Sequence, residues 1–283
     1  MARAAASKAP GADDGSGIMT EVEIRRIKLW QGRIETEVEI AGSGPPLVYL
    51  HGPWGLAPDR AFVAQLAQGH RVFAPKFPGT TPGDPNAAHA LDGWHDLVTY
   101  SGELFDTLAL SAPALAGHSF GALLAAEIAA AAPRAVDRLV LIDPVGLWRD
   151  DHPVQNWMLL SDTARKAALF ADPDGAAARR FFAVPDDPAA RVETLSQMIW
   201  AQACTGKFVW PIADRGLSRR MHRIAAPALI VWGAADRIVA PVYAQEFAKR
   251  IAGAQTALIA DAGHLPHLEQ EARVLAAVAK FLG

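Results

Sequence analysis

Cysteine is almost missing from this chain: Cys204 stands alone in 283 residues, so no intramolecular disulfide framework can hold the fold. A surplus of either charge is missing too, with 27 Lys plus Arg against 30 Asp plus Glu and a net charge of −3. That balance excludes a nucleic-acid binder working through a basic surface, and no nucleic-acid partner is expected. Residues 1–18 carry Arg3, Lys8, Asp13 and Asp14 but lack the apolar stretch of roughly 7 to 15 residues that a secretory signal requires. Without an export signal, and with one cysteine, the expected compartment is the cytoplasm. A clean membrane span is also lacking. The twenty residues between Asp106 and Glu127 carry no formal charge, but Pro113, Gly117, His118, Ser119 and Gly121 interrupt them. A strand turning sharply into a helix explains these residues better than a lipid-facing helix does, and no membrane contact is expected.

Apolar material is plentiful: 51% of residues are hydrophobic and only 20% charged, which supports a packed core and excludes wholesale disorder. Residues 1–20 are expected to form a disordered tail, with the first 18 dispensable for thermal stability and strand-like sequence beginning at Met19. Residues 22–41 alternate charged and apolar side chains around Gln31-Gly32, which predicts a β-hairpin. Short apolar runs then alternate with helical patterns. Leu47 to Leu50, Val72 to Ala74, Ala114 to Ala116, Leu139 to Ile142, Ala228 to Val231 and Ala257 to Ile259 are separated by amphipathic or Ala-rich stretches. That order predicts an α/β fold with a mainly parallel sheet and helices on both faces.

Residues 144–220 break the rhythm, with helical patterns, Pro and Asp punctuation and no convincing strand. They are expected to form an all-helical cap inserted between core segments 21–143 and 221–283. The segment holds Trp148, Trp157, Phe170, Phe181, Phe182, Trp200, Phe208 and Trp210, more aromatics than its length predicts. No internal repeat is visible.

The chemistry concentrates at the end of the Ala114 strand, where Gly117-His118-Ser119-Phe120-Gly121 matches G-x-S-x-G and a helix follows at once. A serine on such a turn takes a strained backbone conformation, needs small neighbours, and presents its hydroxyl at a helix N-terminus. There the Phe120 N–H and the positive end of the helix dipole can stabilise an oxyanion. A serine hydroxyl needs a base near pH 7, and the base needs a carboxylate to fix its tautomer. His264, in Asp261-Ala262-Gly263-His264-Leu265-Pro266, and Asp236, in Trp232-Gly233-Ala234-Ala235-Asp236, follow the last two strands and so leave the same sheet edge as Ser119.

These motifs, with His51-Gly52, resemble those of the α/β-hydrolase fold enzymes, and the resemblance runs from residue 22 to the C-terminus. It implies Ser119 as nucleophile, His264 as general base and then acid, and Asp236 as orienting carboxylate. Asp143, at the end of the strand before the insertion, is the rival acid, because some relatives carry it there. Asp261 is expected to be a loop or capping residue, His267 to lie on the surface, and His118 to pack under the turn. His70, His89, His95 and His152 sit in polar stretches without metal-ligand spacing, so neither metal nor cofactor is expected. Cys204 reads as a small buried residue.

One departure stands out. The second oxyanion donor of the family is usually the N–H after the His-Gly pair, and here Pro53 has none. Either Trp54 supplies it through a shifted loop, or the hole rests mainly on Phe120. The serine argues against dehalogenases and epoxide hydrolases, which use Asp. Carbon-carbon bond hydrolases of ring-cleavage products share a helical cap, but typically carry Asn and Trp where this chain has His118 and Leu265. What remains is a carboxylic ester hydrolase or a lactonase, perhydrolase-type relatives having smaller caps; carbon-carbon bond hydrolysis and a triad-bearing small-ligand receptor with little turnover are the alternatives left open. Trp148, Trp157, Phe182, Trp210, Val239 and Leu265, with Trp54, are the expected walls of an apolar pocket for a small-molecule ester, core packing being the alternative. Arg165, Arg179, Arg180, Arg191 and Lys207 are expected to be solvated cap charges rather than partners of an acidic substrate. The assembly is expected to be a monomer or homodimer.

Overall fold

The computed structural model describes residues 7–8 and 21–283; of the expected tail, everything but Ser7–Lys8 lies outside the described residues. Strand β1 is Ser7–Lys8, pairing antiparallel with Glu23 and Ile24 of β2 (Val22–Leu29). The predicted hairpin joins β2 to β3 (Ile34–Ala41), with Leu29 opposite Ile34. Its turn uses positive φ at Trp30, Gln31 and Gly32, of which glycine alone adopts that region without strain.

The chain continues through β4 (Pro46–Leu50), α1 (Arg60–Leu66), β5 (Arg71–Pro75), α2 (Trp94–Thr107), β6 (Ala114–His118), α3 (Phe120–Ala131) and β7 (Leu139–Ile142). After β7 come only helical elements, among them α4 (Asp162–Leu169), α5 (Ala176–Phe181) and α6 (Pro188–Val209), before β8 (Ala228–Gly233). Helix α7 (Val242–Ala248), β9 (Gln255–Ile259), the single turn α8 (Pro266–Glu269) and α9 (Glu271–Leu282) complete it. The sheet order is β1-β2-β3-β5-β4-β6-β7-β8-β9, antiparallel as far as β3 against β5 and parallel from there on.

Successive residues of the central strands face opposite sides of the sheet, and both sides are covered. Leu115, Leu139, Leu141, Ile230 and Trp232 pack with α2, α3 and α7, whereas Ala116, Val140, Ile142, Leu229 and Val231 pack with α1 and α9. Hence these strands read as unbroken apolar runs. Helix α3 is buried nearly throughout, and its alanines let it lie close to the sheet. Its buried Glu127 is held by a two-pronged bond from Arg220, at 2.8 and 2.5 Å, which ties the end of the helical segment to the core. Residues 107–126 are the end of α2, then β6 and most of α3, and among the described residues no helix is long and apolar enough to cross a membrane.

Candidate active site

Ser119 sits between β6 and α3 at φ 53° and ψ −109°, a region that L side chains rarely adopt. The two motif glycines answer to close approaches. A Cβ on Gly121 would lie 2.0 Å from the Leu50 carbonyl oxygen, and one on Gly117 would lie 2.5 Å from the Gly121 carbonyl carbon. Backbone on both sides blocks any larger residue, so the sequence has no alternative at either position.

Ser119 Oγ lies 2.9 Å from His264 Nε2, and His264 Nδ1 lies 2.8 Å from Asp236 Oδ2. Asp236 is fixed by its other oxygen, which accepts from the Ile238 and Val239 N–H groups at 2.8 and 3.0 Å. The structure thus brings together the three residues the sequence singles out, and all three side chains are buried. The base loop is clamped on two sides: His264 N–H donates to Leu169 O of α4 at 2.8 Å, and Gly263 N–H donates to Glu269 Oε2 at 2.6 Å. Glu269 also accepts from Ala171 N–H at 2.9 Å, and burial pushes its carboxyl up. Sequence reading missed Glu269, because an acid six residues after Gly263 has no signature until the chain doubles back.

Asp143 lies beside Asp236 but does not bond to His264; its Oδ1 accepts from Gly233 N–H at 2.9 Å and its Oδ2 has no partner. Burial, and then the Asp236 charge, push its carboxyl well above the usual carboxylate range. His118 packs beneath the elbow as expected, with Nε2 2.8 Å from the His264 carbonyl, and burial holds it neutral.

His267 is a correction. It is completely buried rather than on the surface, with Nε2 3.0 Å from Asp59 Oδ1, while Tyr49 O–H donates to Asp59 Oδ2 at 2.9 Å. The physical reason is that α8 turns inward onto the start of α1, where a buried carboxylate supplies its partner. Asp59, His118 and His267 therefore form a compact triple that no sequence spacing announces, and the Nδ1 atoms of both histidines lack partners.

The expected pocket residues are largely placed elsewhere. Trp148 and Trp210 are 36% and 47% exposed, and Trp148 donates to its own neighbour Asp150. Trp157, Val239 and Leu265 are buried in the core cluster, and Phe182 packs on Phe170 and Phe181. A cavity of about 670 Å³ instead lies between α6 and the loops after β4 and β5, and Trp54, Phe181, Met198 and Trp200 line it. None of Ser119, Asp236 or His264 does. Of the cap cations, Arg165, Arg191 and Lys207 donate to backbone carbonyls and Arg179 to the Asp174 carbonyl, whereas Arg180 borders the cavity. Cys204 is buried, and burial pushes its thiol up to about 11.

A model of the alpha/beta hydrolase family matches residues 47–278. The chain belongs to that family. Among curated proteins it is 30% identical to a pimeloyl-[acyl-carrier protein] methyl ester esterase of Aromatoleum aromaticum over 240 residues, 79% of this chain and 92% of that one. Naproxen esterase of Bacillus subtilis superposes with a TM-score of 0.72 at 19% identity, covering 94% of this chain and 93% of that one. A meta-cleavage product hydrolase from Pseudomonas fluorescens IP01 does so with a TM-score of 0.69 at 20% identity, covering 91% and 96%. At these identities the two structures speak for the fold alone.

The neutral histidines give a pH prediction. His51, of the His-Gly pair, donates from Nδ1 to Gly52 O at 2.7 Å and accepts Phe77 N–H at Nε2, and burial lowers it to about 4. Its folded value lies below the unfolded one, so its contribution to stability is full above about pH 6.5 and is lost as the pH falls towards 4. His51 alone accounts for about 3 kcal/mol of that loss, and His118 acts in the same direction. Calorimetric melting temperatures should drop between pH 6.5 and 4; a flat profile across that window would contradict the assignment.

Proposed function

We propose that this protein is a cytoplasmic serine hydrolase, monomeric or homodimeric, that cleaves carboxylic esters of small apolar or aromatic substrates through an acyl-enzyme on Ser119. The observation that carries this reading is the continuous chain from Ser119 Oγ through His264 to Asp236, on a strained turn at the N-terminus of α3. Similarity to an ester-cleaving relative over most of both chains supports it.

In this reading Ser119 Oγ attacks the ester carbonyl while His264 Nε2 takes its proton. The oxyanion forms at the head of α3, where the Phe120 N–H has no intrahelical partner. Trp54 is the proposed second donor: Pro53 has no N–H, and among the described residues no backbone carbonyl accepts from Trp54. The alcohol leaves with the proton held by His264. Water, deprotonated by His264, then attacks the acyl carbon; the acid departs and Ser119 recovers its proton. Asp236 holds Nδ1 protonated and stabilises the imidazolium at each transfer.

The test is saturable, multiple-turnover hydrolysis of short and medium p-nitrophenyl esters, with mass spectrometry of a quenched reaction locating the acyl group on Ser119. Absence of turnover and of acylation would overturn the esterase reading and bring carbon-carbon hydrolysis or ligand binding forward.

A further inference from the structure

Ser119 and His264 are completely buried, and the cavity beside them is walled by other residues. Trp54 belongs to both places. It lines the cavity, and its ring lies 6.4 Å from the His264 ring, edge to face, and 6.3 Å from the His118 ring, roughly stacked. On the cavity side it meets Phe181 edge to face at 5.6 Å. Among the ring contacts of the described residues, no other side chain that lines the cavity packs against His264.

The surroundings make the indole the element that can yield. The opposite wall is tied down: Trp200 Nε1 donates to the Gly79 carbonyl at 2.9 Å, and Lys207 Nζ donates to Ala88 O at 3.1 Å, fastening α6 to the loops after β5. Lifting α6 would break these bonds. Swinging one side chain breaks none of them. Trp54 is followed by Gly55, at φ +82°, whose missing Cβ would meet only Ala201 Cβ at 3.6 Å. The residue after Trp54 thus puts no side chain in the way of the indole.

We infer that Trp54 is the size-determining residue of this site: its indole closes the cavity off from Ser119, and an ester arm too large to fit beside it reaches the nucleophile only when the ring moves into the cavity. The arm concerned is an elongated apolar one, because beside Trp54 the cavity offers Phe181, Met198 and Trp200, while Arg60, Lys76, Arg180 and Glu193 also line it. This rests on the proposed ester hydrolysis and adds the part of the substrate that is discriminated. The backbone N–H of Trp54 is unaffected by side-chain substitution, so its proposed oxyanion role is separable.

The experiment compares kcat/KM for p-nitrophenyl butyrate and decanoate in wild type, Trp54→Ala and Trp54→Phe. It reads the ratio within each protein, so that losses common to both esters cancel. Phosphonylation of Ser119 by short- and long-alkyl fluorophosphonates, followed by intact mass, reports access without ester turnover. The decanoate-to-butyrate ratio should rise at least tenfold in Trp54→Ala and less in Trp54→Phe, with the long-alkyl probe gaining in parallel. Unchanged ratios in proteins whose Ser119 is labelled would overturn the proposal and leave ester hydrolysis standing. Trp54→Phe keeps the result decisive should the alanine variant not fold. Failure of both turnover and labelling in wild type would remove the esterase reading, and this inference with it.

Discussion

Ser119→Ala is expected to lower kcat on p-nitrophenyl butyrate by about 10⁵-fold, and His264→Ala to lower it by a similar factor. The two side chains act as one unit, since the hydroxyl is a nucleophile only while Nε2, 2.9 Å away, can take its proton. The double variant should therefore be no slower than either single one. Stability offers a control. The methyl of Ala fits where Ser119 Cβ already lies, and the hydrogen bond lost is the one to His264, so the melting temperature should move by only a few degrees. Initial rates on parallel preparations, with calorimetry, decide the matter. Retention of more than a few per cent of kcat by well-folded Ser119→Ala would remove Ser119 from the mechanism.

The second large effect separates two neighbouring acids. Asp236→Asn should reduce kcat by about 10⁴-fold, because an amide facing Nδ1 favours the tautomer that cannot accept the serine proton. The bonds from the Ile238 and Val239 N–H groups can persist on the remaining oxygen, so the loop keeps its shape. Asp143→Asn should leave kcat within a few-fold of wild type. Burial and the neighbouring Asp236 charge favour the uncharged form of Asp143, and asparagine, itself uncharged, keeps the bond from Gly233 N–H. The stability effect has the opposite sign. A carboxyl whose folded pKa is raised contributes most below its unfolded value, and that contribution is lost as the pH climbs. Asparagine does not titrate, so Asp143→Asn should be at least as stable as wild type at pH 7 and gain less, or nothing, at pH 4. Urea titrations at both pH values measure this. A collapse of kcat in Asp143→Asn with Asp236→Asn active would reverse the roles of the two acids.

Different parts of this site were legible to different degrees. The elbow could be read because strand-turn-helix is visible in the adjoining runs, although of its two glycines only Gly117 answers to the turn's own backbone, Gly121 answering to that of Leu50 and His51. Asp236 and His264 could be read because parallel strands deliver the loops after them to one edge. The pocket walls could not. Trp148 and Trp157 are the same residue type nine positions apart, yet one is exposed and donates to Asp150 whereas the other is buried against Trp54. Trp200 reaches the cavity because its indole bonds to Gly79, 121 residues earlier in the chain. His267 misled for the same reason, its partner Asp59 being 208 residues away.

By itself the sequence determined the mainly parallel sheet, the run of helical elements after β7 and the identity of the serine and histidine that meet at the sheet edge, and it narrowed the acid to Asp236 or Asp143. Each of these follows from periodicity, turn chemistry or chain order, which are properties of neighbouring residues. Only the tertiary structure decided that Asp236 rather than Asp143 bonds to His264, that His267 is buried against Asp59, and that Trp54 both lines the cavity and packs against His264. Those outcomes depend on which distant side chains fill the same volume. Burial and hydrogen-bond partnership are settled there by packing between elements, which no local pattern encodes.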